Sequence, residues 1–295
     1  MHWSAIRTTA HDAPFVNSHA RKAYTLRADR SRISPHAVWS CERQQCRTAN
    51  LPGEMTMQSY DYEYPQADLF ASDASQDARV TFLHKTYAHV AGAVLLFMAL
   101  TCAFVSIDAL AAPMARFAFG NWWAVLIAYM AASYAASAMA RSGASVATQY
   151  AGLGLYAVAE SLIFTPLLYI LHTRMPGGDD VILQAAGLTL LIFGGLTGTV
   201  LLTKVDFSFL RGIISVLSFA ALGLIVVSMF TTLSLGTWFV AGMIVLMAGC
   251  ILYETSNVLH HYPVTAHVAA ALALFASLAT LFWYVLQIVM AMQRD

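Results

Sequence analysis

The chain has 295 residues, 59% of them hydrophobic and only 11% charged, with 16 basic and 16 acidic side chains in balance. Soluble domains average roughly 45–50% apolar and about 25% charged residues, so an ordinary soluble domain is excluded. The net charge of zero removes a nucleic-acid binder with a global basic field, and four cysteines with abundant aromatics remove a disulfide scaffold or a disordered chain.

The first 54 residues carry half of the bases (Arg7, Arg21, Lys22, Arg27, Arg30, Arg32, Arg43 and Arg47) and no apolar run. Such a segment lacks the surface that would offset its ordering entropy, and it is expected to be disordered. It has no h-region and so is not a secretory signal. Its arginines suit an organellar transit peptide, which would place the protein in an organellar membrane. Its acids Asp12, Asp29, Glu42 and Glu54 favour instead an extension upstream of a start at Met55 or Met57. Cys41 and Cys46 have no second pair and make no zinc site. Residues 55–78 hold five acids and no base (Asp61, Glu63, Asp68, Asp73, Asp77), and are expected to form a second, acidic disordered tail.

The body, 79–295, is almost free of charge. Crossing about 30 Å of hydrocarbon takes about 20 mostly apolar residues. Seven segments qualify: Ala88–Ala111, Trp122–Ala140, Val146–Leu171, Val181–Thr203, Gly212–Phe230, Leu235–Leu259 and Thr265–Ala291. Backbone groups in lipid must pair within their own segment, so each is expected to be an α-helix and the fold all-α. Alternating ten-residue strands of a barrel are not visible. Small residues recur at helical spacing, as in Gly194-Gly195-x-x-Gly198, and allow close helix contact. With the N-terminus inside, the cytoplasmic segments carry Arg79, Lys85, Arg141, Lys204 and Arg211, against Arg116, Arg174 and Arg294 outside. That bias predicts a cytoplasmic N-terminus and a C-terminus on the opposite side.

Ionisable residues inside spans are costly and mark candidate sites. Glu160 is the deepest, ~21 Å along its helix from Val146 at ~1.5 Å per residue. It reads as a neutral hydrogen-bonded core acid, or as a cation ligand or proton relay. Glu254 lies near the cytoplasmic end of span six, and His260, His261 and His267 follow on the same side. Imidazoles titrate near neutral pH, so this end reads as a pH-sensing group or as a set of interfacial histidines. His89 lies near the cytoplasmic end of span one, and Asp108 near its outer end. No nucleophile elbow, phosphate loop or zinc-protease helix motif is present, so no enzyme is expected.

Three runs carry a resemblance: Phe82-Leu-His-Lys-Thr-Tyr87, Thr203-Lys-Val-Asp-Phe-Ser-Phe-Leu210 and Ile251-Leu-Tyr-Glu-Thr-Ser-Asn-Val-Leu-His260. The body resembles the Bax inhibitor (lifeguard or TMBIM) family, in its bacterial YccA-like branch. The resemblance implies six helices around a central seventh, in a bacterial inner membrane. It also implies roles in cation leak, pH sensing or stress. Family members with a pH-gated calcium leak carry two Asp residues that share a proton; Glu254 matches the first, whereas Ser277 stands at the second. Two functions follow as expectations. One is a leak pathway for calcium or protons through Glu254, Ser277, Glu160 and the histidines, with calcium as cargo and no resident cofactor. The other is a non-conducting regulator that binds the membrane-anchored AAA protease FtsH, which can grip an N-terminal tail.

Overall fold

The computed structural model describes residues 70–143, 145–231 and 236–293. The expected basic segment 1–54, and 55–69 of the acidic tail, lie outside the described residues. Eight helices follow in order: α1 (Gln76–Val105), α2 (Asp108–Gly120), α3 (Trp122–Ala140), α4 (Val146–Arg174), α5 (Gly178–Thr203), α6 (Leu210–Phe230), α7 (Gly236–His260) and α8 (His267–Met292). All but α2 are long and apolar enough to cross a membrane.

The expected first span is corrected. Its helix stops at Val105, where the Ser106 side chain turns back to the carbonyl of Ala103. Asp108 then opens a separate helix, its carboxylate in the first turn where the helix dipole favours an anion. At 13 residues α2 is about 20 Å long and cannot cross. It buries Ala111 and Ala115 instead. The expected acidic tail is also shortened: residues 70–78 are ordered. Phe70 pairs with Pro263 as an isolated antiparallel bridge, the Ala71 amide donates to the Tyr262 carbonyl at 2.9 Å, and Ser75 caps α1.

The two best-covered spans are α4 and α8. The last helix packs against α1, α3, α4, α5 and α7, which makes the seventh span central as expected. A cluster of aromatic rings sits within the largely aliphatic core. Phe164 of α4 stacks on Phe282 of α8 with ring centroids 5.4 Å apart, and meets Phe97 of α1 and Trp283 edge-on at 5.2 and 5.1 Å. Such pairs contribute about 0.5–1.5 kcal/mol each beyond area burial. Large apolar side chains point outward as well, among them Leu191, Phe219, Phe230 and Trp238. In lipid that exposure carries no hydrophobic penalty.

Local chemistry sets the ends and the close approaches. The α3–α4 crossing is tight because a Cβ on Gly152 would stand 2.6 Å from the Ala136 carbonyl oxygen and 2.7 Å from the Ala140 nitrogen. Within α4, Pro166 removes a backbone donor. The Ser161 and Thr165 hydroxyls before it donate to the carbonyls of Val158 and Ser161 on their own helix, which satisfies both hydroxyls inside the apolar bundle. Lys204 ends α5 in the left-handed region at φ 54°, where the chain turns sharply into the α5–α6 connection.

Candidate functional site

The seven crossings alternate, so the start of α1, the ends of α3, α5 and α7, and the starts of α4, α6 and α8 share one end of the bundle. We call it the near end. Arg79, Lys85, Arg141, Lys204 and Arg211 belong to it, whereas Arg116 and Arg174 belong to the far end.

The three motifs meet at the near end. Phe82 of the first is almost fully buried, in a cluster with Val258 of the third and with Ala71, Val90, Ala270, Ala271 and Leu274. The second and third are joined through Ser256. Its hydroxyl accepts from the Phe207 amide at 2.9 Å and donates to Asp206 Oδ1 at 3.2 Å, while the Ser208 amide donates to the same carboxylate oxygen at 2.9 Å. Asp206 thus folds the α5–α6 connection around one hydroxyl of α7. Its carboxyl is held below the usual carboxylate range, chiefly by the Ser208 amide, with further help from Ser256 and the nearby His261.

Glu254 stands just before this junction. It is half-buried, and its Oε2 is closed off from solvent without a hydrogen-bond partner among the described residues. Asn257 lies beside it one turn on. Tyr262, in the α7–α8 loop, feels its charge: burial foremost, then Glu254, pushes that phenol up to about 12, against the pull of Arg141. Thr255 of α7 faces the Tyr87 hydroxyl of α1, and both oxygens are closed off from solvent.

The structure does not gather the histidines around Glu254. His260 Nδ1 pairs with the Ser256 carbonyl oxygen of its own helix at 3.0 Å. His261 is exposed and lies by Asp206. His267 joins a different group, with its ring 5.2 Å from that of His89, whose Nε2 is 3.0 Å from the Tyr150 hydroxyl. No spacing signal points to Tyr150, which sits on α4 and meets α1 only in the fold. Ser277 is half-buried on α8, and no hydrogen bond joins it to Glu254 among the described residues. Measured from the α7–α8 loop it lies about four residues deeper than Glu254, or ~6 Å along the helix axis.

Glu160 forms a separate buried site mid-span. It is 3% exposed, so its carboxyl must find its partners within the protein. The Tyr129 hydroxyl of α3 donates to its Oε1 at 2.7 Å, and the Tyr156 hydroxyl lies 3.3 Å from that of Tyr129. The hydrogen-bonded core reading of Glu160 describes this geometry. Among the described residues no group of three or more His, Cys, Asp and Glu side chains is placed to hold a metal ion.

Residues 79–295 match the family described as inhibitor of apoptosis-promoting Bax1. An uncharacterized protein of Pseudomonas aeruginosa is 31% identical over 192 residues, which is 65% of this chain and 84% of that protein. The modulator of FtsH protease YccA of Escherichia coli is 35% identical over 128 residues, 43% of this chain and 58% of that protein. An uncharacterized membrane protein of Vibrio cholerae is 30% identical over 129 residues, 42% of this chain and 56% of that protein. The matches to the last two thus span less than two thirds of each. With seven membrane-length helices, a central α8 and its three motifs locked together at one end, the chain is a multi-pass membrane protein that belongs to the Bax inhibitor family.

Proposed function

We propose that this protein is a non-conducting regulator of an FtsH-type, membrane-anchored AAA protease, placed in a bacterial inner membrane with its near end cytoplasmic. The observation that carries this reading is the relative named as a modulator of FtsH protease, 35% identical over 128 residues. The five basic residues of the near end support the orientation, since short cytoplasmic loops collect Lys and Arg. Two features of the chain support the role. Ser277 replaces the acid with which Glu254 would share a proton, and a serine hydroxyl does not split a carboxylate's titration the way a second carboxylate does. The segment entering α1 is also docked: Ala71 is buried, and its amide is bound to Tyr262. A protease pulling on chain upstream of residue 70 meets that docking before it reaches α1. Engagement without easy extraction is the behaviour of a regulator.

A second reading, a cation or proton leak, is favoured by Glu160, an acid held between two tyrosines inside a span. Cross-linking in inverted membrane vesicles, paired with calcium and proton flux in proteoliposomes, separates the two. The regulator reading expects a protease adduct that maps to the near end, and flux no greater than in empty liposomes. Flux above that background with no adduct would replace it with the leak.

A further inference from the structure

Between α1 and α4 a groove of about 380 Å³ opens on the outer face of the bundle, toward the lipid. Its floor is small: Ala88, Gly92 and Ala93 from α1, and Gly154 from α4, with Leu96 and Leu153 as walls. A Cβ placed on Gly92 or Gly154 would meet nothing within 4 Å, so the space beside both glycines is empty. The near-end mouth is polar. There His89 Nε2 and the Tyr150 hydroxyl lie 3.0 Å apart and bridge the two helices. His89 Nδ1 is tied to the Lys85 carbonyl oxygen, so with Nδ1 protonated Nε2 accepts from the phenol.

On α1, Lys85, His89, Gly92 and Leu96 fall at i, i+4, i+7 and i+11, a single stripe. The Lys85 side chain is exposed at the head of that stripe, one turn beyond the mouth, and its charge reaches His267 behind it. The first turn of α4, capped by Ser145, lies one turn from Tyr150 and presents the positive end of a long helix to the same place. From Ala88 to Leu96 the groove runs ~12 Å into the membrane at 1.5 Å per residue.

We propose that this groove holds one anionic phospholipid, with an acyl chain over Gly92 and Gly154 and its phosphate between Lys85 and the Tyr150 mouth. Charge complementarity selects the occupant. Just beyond the mouth stand one ammonium and a helix N-terminus, and no carboxylate lines the groove. A zwitterionic lipid would bring its own cation against Lys85. The site does not depend on the protease reading, since it involves neither Glu254 nor the docked segment.

The test is native mass spectrometry of the full chain released from micelles containing equal amounts of phosphatidylglycerol and phosphatidylcholine. A basic residue near a membrane surface is worth about 1 kcal/mol toward an anionic lipid, so a single retained phosphatidylglycerol should exceed phosphatidylcholine about fivefold. Lys85→Gln should bring that ratio close to one. Gly92→Leu fills the groove and should remove the adduct. If Gly92→Leu does not fold, Gly154→Leu fills the same space from the opposite helix. Equal retention of the two lipids by the unaltered chain would overturn the proposal, as would an adduct that survives the filled groove. A lipid-free dimer abolished by Gly92→Leu would also overturn it, because the cover would then be a second copy.

Discussion

Removing the Tyr129 hydroxyl tests how Glu160 is held. Tyr129→Phe deletes the 2.7 Å hydrogen bond to Oε1 and keeps the ring between α3 and α4. A buried acceptor that loses its only donor costs about 1–3 kcal/mol. Here the loss is smaller, because Tyr156 is already beside both groups and can turn to the carboxyl. Hydrogen bonds between membrane helices average about 0.6 kcal/mol and reach about 1.7. A chain of this size shifts its melting midpoint by about 2–4 °C per kcal/mol. The apparent midpoint in detergent should therefore fall by roughly 1–7 °C in Tyr129→Phe. The control is Glu160→Met, which replaces the carboxyl with an apolar group of similar volume. In that background Tyr129→Phe should cost less, since the bond to the carboxyl is already gone and only the 3.3 Å contact with the Tyr156 hydroxyl is left to break. If the tyrosine change costs the same in both backgrounds, the loss is packing and the hydrogen-bond assignment is wrong.

Three further outcomes follow from the same geometry. Gly152→Ala should destabilise by about 1–3 kcal/mol, because the new Cβ meets α3 backbone at 2.6–2.7 Å. Gly154→Ala, two positions on, should leave the melting midpoint unchanged, and matching shifts for the two would refute the close crossing. Ser256→Ala removes the acceptor of the Phe207 amide and should speed hydrogen exchange there by about tenfold, equivalent to ~1.4 kcal/mol of local opening. The depressed carboxyl of Asp206 stabilises the docked connection above the ordinary carboxylate range. That contribution is lost as pH falls through the lowered value, so protease cleavage within 204–209 should rise toward pH 3 and stay flat between pH 6 and 8. Asp206→Asn should flatten the acid limb.

Most of the architecture was legible in the sequence because membrane helices announce themselves by apolar length. The spans at Trp122–Ala140 and Val146 onward begin where hydropathy places them, since Asn121 and the Arg141-Ser-Gly143 stretch interrupt the runs. The far end of the first span is the exception. Ala-rich sequence around Ile107 continues the apolar run, whereas the helix breaks at Ser106 through a side-chain bond that hydropathy does not register. The order of residues 70–75 was also hidden, because it comes from Tyr262 and Pro263, far along the chain. At the candidate site the individual acids and histidines stood out as costly residues in spans. Their grouping did not. His260, His261 and His267 are close in sequence, yet a helix end and a loop send them to the Ser256 carbonyl, to Asp206 and to His89. Tyr129 and Tyr150 carried no signal, because a tyrosine in an apolar run looks like any other aromatic until its helix is packed.

The proposed role is regulation of a membrane-anchored AAA protease. Its most direct test is the degradation rate of a membrane-protein substrate by an FtsH-type protease in proteoliposomes, with this protein reconstituted alongside at increasing ratio. The rate should change in a saturable way as the protein is added, and the effect should weaken when Ala71→Asp undocks the segment that enters α1. A degradation rate indifferent to the protein at every ratio, with calcium or protons crossing the same membranes faster than in its absence, would contradict the regulator and leave the leak as the function.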